Sequence, residues 1–334
     1  MKITLETADL RLAHTFETSR STTSVSRSYF LHSDGAVGEG SPVRFYGEIA
    51  ESYEAAHARL VPEINGWEDP RTLWPRLNKA LGYNFAVKCG FDLLFWDHLG
   101  KREGASVREL LEIRTDRPLT TALSIGIASP AEMQAEVKRN TQFQIYKLKV
   151  GFENDIEAVE AVREVTEAPL YVDANGGWST DEACCKLPRL AELGVVMCEQ
   201  PLFSGERTDW ERVRAATDMP LVVDEHCHRP EDVAHWAGWV DGINVKLQKC
   251  GGITPAFEMI QRARDCGLQV MIGCMIESSV SIAAAAQLAP LADYLDLDSN
   301  LYLAADPYDG IPCAAGELIP SGRHGLGVWK RETL

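Results

Sequence analysis

Eight short apolar runs between residues 118 and 300 limit the fold more than any other feature of the chain. They are TTALSIG (120–126), IYKLKVG (145–151), LYVDANG (170–176) and VVMCEQP (195–201), then LVVDEH (221–226), GINVKLQ (242–248), QVMIGC (269–274) and DYLDLD (293–298). They recur about every 25 residues, with amphipathic helical stretches between them, as strand–helix repeats do. Repeats of that length imply parallel strands joined by right-handed crossovers. Eight of them predict a closed β/α barrel, a modified TIM barrel. An open doubly wound sheet is the alternative, but no Gly-rich phosphate loop follows any run.

The first part of the chain reads differently. KITLETADLRL alternates like a strand, and SRSYFLHSDGAVGEGSP reads as strand, Asp34-Gly35 turn, strand. Residues 48–66 and 81–99 carry helical periodicity. The expected organisation is an α+β capping domain over 1–117 and a barrel over 118–315. The Pro/Gly-rich tail, 316–334, is expected to return to the cap. No low-complexity linker separates the two parts, so they are expected to pack together.

Composition narrows the function. The formal charge of −16 leaves no basic patch for phosphates, which argues against nucleic acid or an anionic membrane as partner. The nine cysteines show no CxxC pair or zinc spacing, so reduced thiols in the cytoplasm are expected. The N-terminus, with a charge every few residues, reads as neither a signal peptide nor a membrane span.

In a β/α barrel the chemistry sits at the C-terminal ends of the strands. Here those ends carry Lys147 and Lys149, Asp173 and Asn175, Glu199, Asp224 and Glu225, Lys246, and Asp296 and Asp298. Charged residues are seldom buried unless paired or bound to metal. Asp173, Glu199 and Asp224, on three successive strands, repel one another unless a cation lies between them, and hard oxygen ligands suit Mg2+. Asn175 and Glu225 stand beside that triad as supporting residues. The plainer alternative pairs each carboxylate with a lysine or uses it as a helix cap. Lys149 precedes the triad in strand order and Lys246 follows it, so they would face each other across the mouth. That arrangement suits removal of a proton α to a carboxylate, with one lysine as base, the other as acid, and a divalent ion stabilising the resulting dianion. Lys147 would then help neutralise the substrate carboxylate. Salt bridges to barrel acids are the alternative for the lysine pair, and a half-exposed position for Lys246.

KxK on the second run, VDANGGW, CEQP, VVDE and NVKLQKCGG, in this order, resemble the enolase superfamily, and more narrowly its muconate-lactonising subgroup. KCGFDLLFWDHLGK (88–101) is similar to that subgroup's helix leading into the barrel. LDLDSNLYL (295–303) resembles the DxD strand of the dipeptide epimerases, the group of L-Ala-D/L-Glu epimerase. The resemblance implies that Asp296 and Asp298 receive a dipeptide's α-ammonium, which two acceptor-only carboxylates can do. It also implies that an early cap loop, here HTFETSRSTTSVSR (14–27), closes over the mouth and chooses side chains. There Arg20 would bind an acidic side chain or Glu17 a cationic one. An exposed loop arginine is the bland reading of Arg20, and core packing that of Phe16 and Tyr46.

The function expected is therefore a Mg2+-dependent dipeptide epimerase, an isomerase that moves the α-proton of the C-terminal residue through an enediolate. The alternatives are an N-acylamino acid racemase, o-succinylbenzoate synthase or cycloisomerase of the same subgroup, and a barrel that binds a metabolite without catalysis. The partner expected is a small dipeptide, with homo-oligomerisation possible in this subgroup.

Overall fold

Alternation near the N-terminus becomes β1 (Thr4–Glu17), paired antiparallel with β2 (Thr22–Ser33), which pairs in turn with β3 (Ala36–Gly40). Asp34 and Gly35 both take positive φ, 49° and 77°, as a tight two-residue hairpin turn requires. These elements belong to a computed structural model that describes residues 1–332. The β1–β2 register shifts between Arg11 and Phe16, and the hairpin continues past the shift to Glu17 and Thr22.

Three helices complete the cap: α1 (Ala50–Leu60), α2 (Pro70–Ala80) and α3 (Phe85–Glu103). Periodicity does not announce the second of them. Its signal is local: Asp69 accepts a bond from the Arg71 N–H, and Pro70 fills the first helical position, where no donor is needed. The third starts at Phe85 instead of 81, because Asn84 is left-handed (φ 61°) and breaks the turn. Helix α3 is the seam of the molecule. Phe91, Leu94 and Phe95 join the cap core with Tyr29, Leu31 and Tyr53, while Cys89, Leu93 and Trp96 join the barrel core.

The eight apolar runs form one parallel eight-stranded sheet in chain order. Its strands are β4 (Leu123–Ile125), β5 (Tyr146–Lys149), β6 (Leu170–Asp173), β7 (Val195–Glu199), β8 (Leu221–Val223), β9 (Gly242–Val245), β10 (Gln269–Gly273) and β11 (Tyr294–Asp296). The Ala122 N–H donates to the Leu295 carbonyl at 3.0 Å, which draws the first and last strands together into a nearly closed barrel. Ala122, Tyr171, Met197, Val222 and Met271 pack as an apolar layer inside it. Side chains two residues further along a strand share its face. That period places Asp173, Glu199 and Asp224 directly above the apolar layer.

Beyond the barrel the tail divides its contacts. Glu317–Leu318 pair with Leu119–Thr120, and the Leu326 N–H donates to Asp97 of α3 at 2.9 Å. Asp97 is fully buried and also accepts from the Val37 N–H (2.9 Å) and the Lys101 ammonium (2.7 Å). Asp97→Ala leaves two buried amides without acceptors. It should lower the unfolding free energy by about 2–4 kcal/mol, read as a fall in the urea midpoint.

Candidate active site at the mouth of the barrel

Every charged residue expected at the mouth, from Lys147 to Asp298, is buried. The lysines on β5 point inward because they continue the inward face set by Ile145. The alternate residues of that strand, Tyr146 and Leu148, turn outward into the barrel-wall core. Lys149 donates to Asp173 Oδ2 at 2.6 Å. On the far side Lys246, just beyond β9, donates to Asp224 Oδ2 at 2.8 Å. Strands β5 and β9 stand four places apart in an eight-stranded ring, so the two amines approach the mouth from opposite sides. Gly273 makes room for the second: a Cβ there would lie 2.8 Å from the Asn244 side chain and 3.1 Å from Lys246 Cε.

Lys147, expected to help neutralise a substrate carboxylate, has acidic partners within the chain itself. Its ammonium is enclosed by Glu199 (2.6 Å), Asp296 (2.7 Å) and Asp173 (3.1 Å) and has no exposed surface. Burial alone would favour its neutral form, but those three carboxylates hold it charged well above the usual lysine range. Asp296 is correspondingly committed, one oxygen to Lys147 and the other to the Ser124 hydroxyl at 2.8 Å. Asp298 Oδ2 accepts from the Ser124 N–H and the Tyr302 hydroxyl, both at 2.6 Å. Of the four oxygens in this pair, Asp298 Oδ1 alone has no donor among the described residues.

Several participants carried no signal that the sequence reading used. Lys249, one helical turn after Lys246, donates to the Asp224 carboxylate and to the Asn244 carbonyl (2.9 Å). Asn244 donates to Glu199 Oε1 at 2.7 Å; the period of two back from Lys246 would have found it. Gln200 Oε1 accepts from the Asp224 and Glu225 N–H groups at 2.8 and 2.9 Å, fixing that strand end. Asn175 is left-handed (φ 46°) and bridges Asp173 (3.3 Å) to Glu225 (3.0 Å).

The loop at 14–27 does reach the mouth. Ser19 donates to the Ala174 carbonyl at 2.9 Å and Arg20 Nε to the Asn175 carbonyl. The Arg20 guanidinium lies over the rings of Phe203 (4.2 Å) and Phe45 (4.9 Å). Phe16 packs on Tyr302 at 5.4 Å. Tyr46 lines a cavity, edge-on to His228 at 4.9 Å, instead of filling a core. Glu17 is exposed.

The electrostatics can be counted. Asp173, Glu199, Asp224, Glu225, Asp296 and Asp298 face Lys147, Lys149, Lys246 and Lys249, so full ionisation leaves two negative charges in excess. The excess surfaces as raised acids. Burial, with Asp173 next to it, pushes Glu199 up to about 7; burial and Asp224 push Glu225 up to about 8; burial and Asp296 push Asp298 up to about 7. Burial also drives Asp173 up, but Lys149 and Lys147 outweigh it and hold that carboxyl down at about 2. The buried oxygens Asn175 Oδ1, Glu225 Oε2 and Asn244 Oδ1 have no hydrogen-bond donor. Among the described residues no three acidic, imidazole or thiol side chains stand as a ready-made ion cage, because ammonium groups occupy the positions between them. Three carboxylate donors and a local surplus of negative charge nevertheless fit a hard divalent cation at Asp173, Glu199 and Asp224.

Fold and site together define a capped β/α barrel with two opposed lysines, each beside an acid, at its mouth. Comparison with known proteins makes the class particular: residues 131–332 match the family described as Enolase C-terminal domain-like, and the chain belongs to that family. It is 37% identical over 317 residues to a Maribacter sp. L-Ala-D/L-amino acid epimerase, covering 93% of this chain and 94% of the relative. Its structure resembles the substrate-liganded L-Ala-D/L-Glu epimerase of Bacillus subtilis, with a TM-score of 0.92, 28% identity and 98% of each chain covered. It also resembles the Enterococcus faecalis dipeptide epimerase complexed with Mg and L-Leu-L-Tyr, with a TM-score of 0.89, 27% identity and 98% of each chain covered.

Because the Lys147 ammonium contacts three buried carboxylates at once, its loss should be costly. Lys147→Met should lower stability by about 3–5 kcal/mol, since it strands buried charge; a change below about 1 kcal/mol in the denaturant midpoint would show the pairing to be incidental.

Proposed function

We propose that this chain is a Mg2+-dependent dipeptide epimerase that inverts the α-carbon of the C-terminal residue by proton transfer between Lys149 and Lys246. The observation that carries the reading is the placement of these two amines on opposite walls, each aimed by its own carboxylate. The relatives support the reaction class, and the neighbour complexed with Mg and a dipeptide supports the cofactor and substrate.

A proton α to a carboxylate is weakly acidic because its removal places a second negative charge on that group. A divalent cation held by Asp173, Glu199 and Asp224 would, when bound, supply the positive charge that disperses it. The chain's own residues do the rest. Lys149 Nζ takes the α-proton from one face, and Lys246 Nζ delivers a proton to the other. Burial opposes the charged form of Lys246, but the adjacent Asp224 prevails and holds its proton affinity well above the usual lysine range. The reverse epimerisation exchanges the two roles. Lys147 stays charged and fixes the carboxylates. Asp298 Oδ1 is the acceptor available to the α-ammonium of the first residue, with Ser124 and Tyr302 holding the other oxygen. The nine unpaired thiols suit a reducing cytoplasm, and among the described residues no helix is long and apolar enough to cross a membrane.

Dipeptides incubated with the enzyme and Mg2+ in D2O should gain one α-deuterium with inversion. Lys149→Ala or Lys246→Ala should each lower the rate of inversion by at least about 10^3-fold; rates within tenfold of the parent for both would remove the two-base mechanism. Asp298→Asn should abolish activity on dipeptides. Full retention on an N-acylated amino acid with dipeptides inert would instead favour the racemase reading.

A further inference from the structure

A cavity of about 520 Å3 opens between cap and barrel at one side of the mouth. Its inner wall is Glu225 and Lys249, the neighbours of Asp224 and Lys246; its outer rim includes Tyr83, which is 77% exposed. Cap residues Tyr46 and Phe85 face His226, His228 and Met275 of the barrel across it. The space therefore lies on the Lys246 side. An α-hydrogen that points at Lys149 turns the other three groups on that carbon, the side chain among them, away from Lys149.

We propose that this cavity receives the side chain of the C-terminal residue of the dipeptide, and that it takes a bulky, uncharged one. The proposal rests on the epimerase reading above and adds the substrate class.

The charged groups around the cavity are already satisfied. Glu48 accepts from the Phe85 and Ala86 N–H groups at 2.5 and 3.1 Å. Asp232 pairs with Arg229 at 3.1 Å and accepts from the His228 N–H at 3.0 Å. Lys249 is committed to Asp224. Glu225, at the inner wall, retains one unpaired oxygen. Ser41, Asn84 and Gln248 also line the space, with Gln248 occupied by the Ser41 N–H and the Ser281 hydroxyl, and the rest of the wall is mainly aromatic, imidazole and thioether surface. Arg20, the cation expected to read an acidic side chain, does not line the cavity; it is clasped between Phe45 and Phe203 on the Asn175 flank of the triad. A carboxylate or ammonium buried here would lose hydration and meet mainly charged groups that already have partners. A large apolar or aromatic group would gain burial at every carbon.

The test is a panel with alanine first and phenylalanine, leucine, methionine, glutamate, lysine or alanine second, scored by α-deuterium uptake in D2O with Mg2+. The wild-type enzyme should process the Phe, Leu and Met dipeptides with kcat/KM at least about tenfold above the Glu and Lys ones. Met275→Trp, which fills the cavity from the barrel side, should lower the Ala-Phe to Ala-Ala ratio of kcat/KM by at least about tenfold. Preference for Ala-Glu or Ala-Lys in the wild-type enzyme overturns the proposal and leaves the epimerase reading standing. A ratio unmoved in a folded Met275→Trp variant overturns the cavity assignment. No uptake into any dipeptide removes the epimerase reading itself, and the proposal with it.

Discussion

Six carboxylates and four ammonium groups share one buried volume at the top of the barrel, and the rest of the structure answers to that imbalance. Charges taken out of water must be matched at short range or abandoned by protonation. Lys147 contacts three carboxylates, Lys249 secures Asp224 from behind, and the two remaining lysines each hold one acid from opposite walls. One ammonium cannot offset three acids, and burial beside other carboxylates raises Glu199, Glu225 and Asp298 to about 7, 8 and 7. A surplus of two negative charges beside three carboxylate donors is what a divalent cation would complete. The same surplus explains why the proposed bases sit beside acids: the pairs aim the amines and hold them in place between turnovers.

The fold supplies the frame for this cluster through one elementary period. A strand alternates its faces, so an apolar inner layer of Tyr171, Met197 and Val222 obliges the residues two positions later to point into the same space. The helices outside the barrel and the all-round buried α3 contribute the stability that a charged interior does not provide. The cap then contributes asymmetry. Its long hairpin is fastened to the Ala174 and Asn175 carbonyls through Ser19 and Arg20, while Tyr46 and Phe85 leave an open space over the opposite flank. A mouth pinned on one side and open on the other distinguishes the two faces of a substrate even though the amines are arranged symmetrically.

Much of this was legible because it is encoded locally. The eight runs gave the strands, the period of two gave the inward acids and lysines, and the DG turn gave the β2–β3 hairpin. Helix α2 was missed because its evidence is a cap, Asp69-Pro70, and not a periodic stripe. The enclosure of Lys147 by Asp296 was not legible: it joins β5 to β11, residues 149 apart in sequence, and no local pattern reports such a pairing. Lys249 and Tyr46 fall in the same class, since one is recruited by a helical turn after the strand and the other by the docking of the cap. Arg20 was placed at the mouth by resemblance, but its clasp by Phe45 and Phe203 depends on three loops that meet only in the folded molecule.

The central claim is that the buried charge of the barrel mouth is completed by one divalent cation. Calorimetric titration of chelator-treated protein with Mg2+ tests it directly. The account predicts saturable binding of one ion per chain, lost when Glu199 is replaced by Gln in a variant that remains folded. Absence of Mg2+ binding by the folded parent protein at millimolar concentrations, or undiminished binding in the Glu199→Gln variant, would contradict it.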